Sequence, residues 1–223
     1  MIKLIIFDWD DVFTLGAKDA YVHCLHQTMV NLNVHLDPEE EQRRIQQTWS
    51  KPHREELKNL LREHPQLVDK ACEVYEGLFF NGAFVQSLTL VAGSNELLKK
   101  LKETYILAVA TGAHPKVLKD EVFPRFEIPD VFSDIVFTYE IADPEHHKPH
   151  PYMLKKIMKT QGVTPEETIF VGDARNDVVM AQNAHVTPVV ALTGHLNRKE
   201  AAELGVKYII EDVTKLNSVL QML

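Results

Sequence analysis

The apolar positions of the chain fall into short continuous runs separated by segments with helical spacing. The first run, residues 4–7, is rich in β-branched side chains and shows no polar alternation, which is typical of a strand buried on both faces. Further apolar runs occupy residues 105–110, 134–138, 168–171, 186–192 and 208–210. Helical patterns lie between them, over residues 95–103, 114–122, 150–161, 174–184, from about 197 and after 212. This alternation predicts an α/β fold with a doubly wound parallel sheet, right-handed crossovers and helices on both faces.

The first two strands are separated by a long segment whose pattern is helical throughout. Four helices are predicted over residues 17–32, 38–49, 53–63 and 66–79. Asp37-Pro38 is a strong helix start, because Asp caps the free N–H groups and Pro suits the first turn. The segment is most simply an inserted helical bundle that covers the carboxyl edge of the sheet as a lid. We therefore predict a core of residues 1–15 and 92–223 and a cap of residues 16–91.

Composition and charge narrow the classes of function. The chain has 223 residues, a formal net charge of -8 and no basic run, which disfavours nucleic-acid and anionic-membrane partners. Cys24 and Cys72 lie far apart without metal-type spacing and fit two ordinary thiols in a reducing compartment. Carboxylates interrupt the first apolar run too early for a signal peptide, and no stretch is apolar enough to span a bilayer. We therefore expect a cytoplasmic protein.

Polar residues follow several predicted strands at the point where each strand ends. They are Asp8 and Asp10, Thr111 and Gly112, Lys148 beyond the third strand, and Asp173 with Asp177 one helical turn later. Each residue alone has an ordinary explanation, such as a helix cap, a strand-end hydrogen bond or a solvated charge. Because the carboxyl ends of parallel strands meet at one edge of a sheet, we expect these side chains to share one site.

The residue types of this group suit phosphoryl transfer. A carboxylate nucleophile divides phosphate-ester hydrolysis into two easier steps, and a second carboxyl can protonate the leaving oxygen and then activate water. Clustered carboxylates repel one another, and Mg²⁺, which takes oxygen ligands, would relieve that repulsion. A lysine offsets charge on the phosphoryl group, while a hydroxyl and backbone N–H groups hold its oxygens.

These residues resemble the four motifs of the haloacid dehalogenase (HAD) superfamily. Asp8-Trp9-Asp10-Asp11-Val12 matches the first motif, Thr111 the second, Lys148-Pro149 the third, and Gly172-Asp173 with Asp177 the fourth. The resemblance implies a Rossmann-like core, Asp8 as nucleophile and Asp10 as general acid and base. It implies Mg²⁺ held by Asp8, the backbone carbonyl of Asp10 and Asp173, with Asp177 in support. It implies phosphoryl binding by Thr111, Lys148 and the backbone around Trp9 and Gly112. The helical insertion is similar to the C1-type cap of the phosphoglycolate phosphatase and β-phosphoglucomutase branch.

Some positions depart from that branch or invite a specific expectation. Asp11 stands where the branch has Gly, Gly112 where many relatives have Asn, and His185 where Gly is common. The position of Asp11 favours an unusual backbone conformation, which Asp tolerates better than most residues, and we expect its side chain to point away from the phosphate. The Trp9 indole is expected to form a wall of the site, and Trp49 to lie in the core of the cap.

Four basic residues lie in the predicted cap: Arg43, Arg44, His53 and Arg54. We expect one or two of them to face the active site and bind the anionic or hydroxylated end of the substrate.

The predicted function is Mg²⁺-dependent hydrolysis of a small phosphorylated metabolite through an aspartyl-phosphate. A phosphomutase, a phosphotransferase or a catalytically silent regulatory protein on the same scaffold is the alternative. Asp10 argues against a hydrolytic dehalogenase, which the resemblance implies would lack that residue. In a receiver domain of response regulators the phosphorylated Asp follows the third strand, and such domains lack a helical insertion after the first. The sequence leaves the substrate and the oligomeric state open.

Overall fold

The computed structural model describes residues 1–223 and contains one six-stranded parallel sheet and one two-stranded ribbon. In chain order the strands are β1 (Leu4–Phe7), β2 (Thr14–Leu15), β3 (Thr89–Leu90), β4 (Ile106–Thr111), β5 (Phe132–Phe137), β6 (Thr168–Gly172), β7 (Thr187–Ala191) and β8 (Tyr208–Ile210). The sheet order is β5-β4-β1-β6-β7-β8, with every neighbouring pair parallel. The predicted fold class is thereby confirmed.

The central strand β1 explains why the sheet needs helices on both faces. All four of its side chains are fully buried. Ile5 and Phe7 join the larger apolar cluster on one face, and Leu4 and Ile6 join a second cluster on the other. Successive side chains of a strand point to opposite faces, so a continuous apolar strand can be buried only between two layers.

Helices cover both faces of the sheet and form the insertion. Those of the insertion are α1 (Ala17–Asn31), α2 (Pro38–Thr48), α3 (His53–Leu60), α4 (Val68–Phe79) and α5 (Ala83–Ser87). Those of the core are α6 (Ser94–Lys102), α7 (Phe123–Arg125), α8 (Tyr152–Gln161), α9 (Arg175–Asn183), α10 (Arg198–Glu203) and α11 (Leu216–Leu220). Asp37 caps α2 as predicted, since its Oδ1 accepts hydrogen bonds from the N–H groups of Glu39 and Glu40 at 2.9 and 3.4 Å. None of these helices combines the length and apolarity that crossing a bilayer requires.

A short antiparallel ribbon joins the insertion to the sheet. Thr14 pairs with Leu90 and Leu15 with Thr89, and the N–H of Val91 donates to the carbonyl of Phe13 at 2.8 Å. The two strands lie beside the predicted boundaries at residues 15 and 91, which remain a prediction. The ribbon and α5 were not predicted from the sequence, because two-residue strands leave too little pattern to recognise.

One helix differs from its prediction. Residues 114–122 were expected to form an ordinary helix, whereas the structure has a π-helical segment over Val117–Val122 that continues into α7. Val117, Leu118 and Val122 are buried there. Hydrophobic spacing predicts a helix but does not distinguish its winding over so short a stretch.

Candidate active site

Three neighbouring strands bring predicted site residues to one edge of the sheet. Asp8 directly follows β1, Thr111 is the last residue of β4, and Asp173 directly follows β6. β1 lies between the other two strands, and the N–H of Asp8 donates to the carbonyl of Val171 at 2.8 Å. All three site side chains are buried. The order of the strands therefore places them side by side, as ligand sites in open α/β sheets are placed.

Lys148 lies fully buried beneath this edge. Its Nζ donates to Oδ2 of Asp8 at 2.7 Å and to Oδ1 of Asp177 at 2.8 Å. Burial alone lowers the pKa of Lys148, but the carboxylates of Asp177 and Asp8 outweigh that effect and raise the pKa above its ordinary value. The ammonium is therefore charged at neutral pH.

Three carboxylates next to that ammonium form a set suited to a hard cation. Oxygen atoms of Asp8, Asp173 and Asp177 all lie within 4.8 Å of one another. Burial, followed by the neighbouring charges of Asp177 and Asp8, raises the pKa of Asp173 well above its ordinary value. One ammonium does not balance three buried carboxylates, and a divalent ion with oxygen ligands would. The donor set therefore fits Mg²⁺.

Asp177 has a supporting geometry within that set. Its Oδ1 accepts from Lys148, and its Oδ2 accepts from the N–H groups of Asp173 and Ala174 at 3.2 and 3.1 Å. Asp173 is held from the other side, where its Oδ2 accepts from the N–H of His195 at 3.0 Å. Asp177 thus fixes the turn that presents Asp173 and also fixes the lysine.

Asp10 lies apart from the lysine and contacts the insertion. Its Oδ2 accepts from the hydroxyl of Tyr21 on α1 at 3.2 Å, and its Oδ1 accepts from Thr14 Oγ1 at 3.3 Å. Burial, and then the negative charges of Asp8 and Asp11, raise the pKa of Asp10 to about 7. A carboxyl group with a pKa near neutrality can both give and take a proton at physiological pH.

Thr111 and Gly112 form the β4 side of the site. Thr111 is fully buried, and its Oγ1 accepts from the N–H of Ala113 at 3.1 Å. A Cβ on Gly112 would lie 3.0 Å from the carbonyl oxygen of Ser50 and 3.1 Å from its Cα. Glycine at this position therefore lets the backbone of the insertion approach the strand end, which accounts for the absence of the larger Asn.

Trp9 differs from its expectation. The indole does not form a wall of the site, because it is fully buried in the core beneath and packs against Phe13, Phe123 and Phe132 with ring centroids 5.0, 4.7 and 6.2 Å away. Its backbone N–H donates to Oδ1 of Asp8 at 2.7 Å. Side chains alternate along an extended chain, so a residue between two site aspartates turns to the opposite side.

Asp11 adopts the left-handed backbone that glycine favours, with φ of 56°. Its carboxylate accepts from the N–H groups of Gly16 at 3.1 Å and Lys18 at 2.7 Å. The side chain is therefore directed to the start of α1, as expected. Asp in place of Gly links the first motif to the insertion, since acceptors stabilise the free N–H groups of a helix start.

The insertion contributes five residues to the pocket above Asp8: Tyr21, Trp49, Ser50, Lys51 and Glu56. Trp49 was expected in the core of the cap, and that expectation is wrong. Its carbonyl accepts from Asn176 Nδ2 at 3.0 Å, and its ring centroid lies 4.2 Å from that of His195. The turn after α2 thus rests on the sheet edge and closes the site.

None of the four basic cap residues proposed as substrate readers lines this pocket. Arg43 pairs with Glu40 at 2.7 Å, and Arg54 pairs with Asp69. Arg44 is buried, where it binds Glu40 and Glu63. The N–H of His53 donates to the hydroxyl of Tyr139 at 3.0 Å. The three arginines are used within the insertion because each has an acidic partner close by.

Glu56, Tyr139 and His195 are among the pocket residues that sequence reasoning did not single out. Each of these three had a signal. Glu56 lies four residues before the buried Leu60, so helical spacing places it on the buried face of α3. His195 follows β7 at the same edge as the other strand ends. Tyr139 lies in a short 3₁₀ turn that directly follows β5, at this same edge.

Gly194, next to His195, leaves the space that the Asp173 carboxylate occupies. A Cβ on Gly194 would lie 1.9 Å from Oδ2 of Asp173, so Gly194→Ala must displace that carboxylate. We expect the affinity for Mn²⁺, a substitute for Mg²⁺ in titration calorimetry, to fall by roughly 10- to 100-fold, the usual effect of disturbing a ligand's surroundings. Gly77→Ala is the control, because nothing lies within 4 Å of the added methyl. Equal affinities of the two variants would contradict the proposed role of Asp173 as a ligand.

The buried carboxyl of Glu56 makes stability depend on pH. Burial raises its pKa to about 8, against about 4.3 in an unfolded chain. Between these values the folded protein keeps a proton that the unfolded chain has lost, so the free energy of unfolding falls as pH rises through this window. Glu56→Gln should remove this slope and exceed the wild type in melting temperature by several degrees at pH 8 but not at pH 5. Glu55→Gln, which affects a half-exposed residue paired with Lys58, should leave the slope unchanged.

Comparisons with known proteins show which family the chain resembles. The family model of haloacid dehalogenase-like hydrolases matches residues 2–185. Pyrophosphatase PpaX of Bacillus mycoides is 38% identical over 92 residues, which are 41% of this chain and 41% of that protein. Glyceraldehyde 3-phosphate phosphatase of Pyrococcus furiosus is 31% identical over 150 residues, 64% of this chain and 59% of that protein. The matched stretches thus span about half the length of these curated relatives.

A solved structure extends the likeness to the whole chain. A hydrolase from Pseudomonas syringae, 21% identical, superposes with a TM-score of 0.80 over 99% of both chains, which shows the same fold. The family model covers most of the sequence. The residues that match the four motifs in this chain meet at one edge of the sheet. The chain belongs to the haloacid dehalogenase-like hydrolase family.

Proposed function

We propose that the protein is a Mg²⁺-dependent phosphatase that hydrolyses a small phosphorylated metabolite through an aspartyl-phosphate on Asp8. The observation that carries the proposal is the pairing of Asp8 with the buried Lys148 at 2.7 Å, two residues before a carboxyl whose pKa is about 7. A nucleophile beside a fixed cation and a proton donor beside the nucleophile are the two requirements of this chemistry.

In the first step an oxygen of Asp8 attacks the phosphorus atom, and the bond between phosphorus and the ester oxygen breaks. Asp10 gives its proton to the departing oxygen, which leaves as an alcohol. Lys148, the hydroxyl of Thr111 and backbone N–H groups at the strand ends bind the phosphoryl oxygens, where negative charge is spread in the transition state.

In the second step the ionised Asp10 takes a proton from water, and the resulting hydroxide attacks the phosphorus of the aspartyl-phosphate. The bond from phosphorus to Asp8 breaks, inorganic phosphate leaves, and Asp8 and Asp10 return to their starting states. Asp8 and Asp173, with the backbone carbonyl of Asp10, would hold Mg²⁺, and Asp177 would support them. The bound ion supplies positive charge that offsets the charge of the phosphoryl group.

Two further points support hydrolysis of a small substrate. The matched relatives from Bacillus mycoides and Pyrococcus furiosus are named as a pyrophosphatase and a phosphatase. The insertion, which we propose acts as a cap formed by residues 16–91 over a core of residues 1–15 and 92–223, closes on the site through Ser50 and Trp49. A closed cap limits the size of the ester.

The test is the release of inorganic phosphate from p-nitrophenyl phosphate by the purified protein. Release that requires Mg²⁺ and stops with a chelator is expected. Transfer of the phosphoryl group to a second sugar phosphate or alcohol, without free phosphate, would instead indicate a mutase or phosphotransferase. A protein that binds Mg²⁺ but turns over no ester would be a silent regulatory member of the family.

A further inference from the structure

Glu56 is a buried carboxyl group without a partner that faces the pocket. It lies on α3, is 7% exposed, and lines the same pocket as Asp8 and Asp10. No hydrogen bond or opposite charge offsets its burial. A buried carboxyl left unpaired costs free energy, so such a group at a ligand site indicates a partner supplied by the ligand.

The neighbouring side chains do not supply that partner. The hydroxyl of Tyr139, a donor that lines the same pocket on the core side, lies 3.0 Å from the backbone N–H of His53 and 3.1 Å from its Nδ1. Nε2 of His53 lies 3.3 Å from Oε1 of Glu76, which assigns the ring proton to Nε2 and leaves Nδ1 as an acceptor. The hydroxyl of Tyr139 therefore accepts a hydrogen bond from the His53 N–H and donates its proton to His53 Nδ1, so it has no proton to give to Glu56.

The charge of the pocket selects among ligands. Its lining holds five carboxyl groups, those of Asp8, Asp10, Asp11, Glu56 and Asp173, and the basic side chain of Lys51. The carboxylates of Asp8, Asp10 and Asp173 lie where we propose that the phosphoryl group and Mg²⁺ bind, and that of Asp11 is bound to the start of α1. Glu56 is therefore the acidic group that the cap adds beyond them. A donor group of the ligand would stabilise the ionised form of Glu56, whereas a second anionic group would favour the protonated form that burial already favours.

The pocket is also small. The space in it that the centre of a water-sized sphere can reach is about 40 Å³. With the cap closed, the pocket therefore favours an ester with a small leaving group.

We infer that Glu56 determines specificity by accepting a hydrogen bond from a hydroxyl or ammonium group on the leaving half of a small phosphate ester. The inference rests on the proposed phosphatase function and names the class of its substrate: phosphorylated small polyols or amino alcohols. Such an ester places its phosphate on Asp8 and its donor on Glu56 of the closed cap.

The experiment compares esters that differ in the donor alone. Glycerol 1-phosphate carries hydroxyls, O-phosphoethanolamine carries an ammonium, n-propyl phosphate carries neither, and phosphoglycolate carries an anion. For the wild type we expect kcat/KM to be at least roughly tenfold higher for a donor-bearing ester than for propyl phosphate, the effect of one hydrogen bond to a carboxyl group that the bound donor helps to ionise. Glu56→Leu should reduce that ratio to near one. Glu55→Gln, a change on the same helix outside the pocket, should keep it.

Glu56→Gln separates the two kinds of donor. The Gln carbonyl still accepts a hydrogen bond, so selectivity for the hydroxyl ester should be largely retained. Gln cannot ionise as Glu56 can when an ammonium binds beside it, so selectivity for the ammonium ester should fall by roughly tenfold or more. Both variants remove an unpaired buried carboxyl and are expected to fold, which their melting curves verify.

The outcomes distinguish this inference from the proposed function. Hydrolysis of all esters with a ratio that Glu56→Leu leaves unchanged would overturn the inference and leave the phosphatase intact. Preference for phosphoglycolate, unaffected by Glu56→Leu, would also overturn it and would assign the pocket to an anion held by Lys51. If no ester is hydrolysed, the proposed function fails. Calorimetric titration of the same four esters into the wild type and Glu56→Leu then tests the inference. Equal affinities of the two proteins for the donor-bearing esters refute it.

Discussion

Replacing Asp8 with Asn is expected to abolish phosphate release, with kcat reduced by roughly 10⁴-fold or more, as when the nucleophile of other covalent enzymes is removed. The amide keeps the size of the side chain and can still accept a hydrogen bond from Lys148, so the geometry is largely preserved. It cannot form an acyl phosphate with the substrate, so the first step of the mechanism has no nucleophile. Initial rates on p-nitrophenyl phosphate at saturating Mg²⁺ measure the effect.

Asp11→Asn is the matched control for this experiment. Asp11 carries the same functional group three residues away, but it accepts hydrogen bonds from Gly16 and Lys18 and not from Lys148. Asn can accept the same bonds and also tolerates the left-handed backbone. Full activity in Asp8→Asn would refute the nucleophile, and equal losses in both variants would indicate that the loop as a whole had been disturbed.

The sheet was predictable from the sequence because its signals are local and repeated. The run of residues 4–7 has nowhere to lie except between two layers, and the alternation with helical segments leaves few topologies once crossovers are right-handed. The ribbon of β2 and β3 was not predictable, since two residues on each side carry no period and pair across more than seventy positions of the chain. The winding of Val117–Val122 depends on packing and not on which positions are apolar.

The floor of the site could be predicted for the same reason, because Asp8, Thr111 and Asp173 each mark the end of a strand. The roof could not. Which cap residues face the pocket depends on how α1–α3 rotate over the sheet, and charge alone misled the prediction. Arg44 was a candidate because it is basic, yet it is buried against Glu40 and Glu63. Glu56 was overlooked because one acidic residue in a polar helix looks ordinary until its burial is known.

Replacing Lys148 with Met should lower both stability and activity. Methionine preserves most of the volume of the side chain, so the main change is the loss of a fully buried charge that binds Asp8 and Asp177 at 2.7 and 2.8 Å. Removing one partner of a buried ion pair leaves uncompensated charge and typically costs about 3–5 kcal/mol of unfolding free energy. The loss of a fixed cation at the phosphoryl group should also reduce kcat by roughly 10²- to 10³-fold.

The pH dependence and a surface control make this prediction specific to the buried charge. Burial raises the pKa of Asp8 in the wild type and Lys148 partly offsets that rise, so without the ammonium the folded protein holds protons more tightly and the loss of stability should grow as pH rises. Urea unfolding at pH 5.5 and 8 measures this difference. Lys3→Met breaks an exposed pair with Glu167 and should cost less than about 1 kcal/mol at either pH. If Lys148→Met is as stable as Lys3→Met, the ammonium does not balance the buried carboxylates, and the electrostatic basis of the proposed active site is wrong.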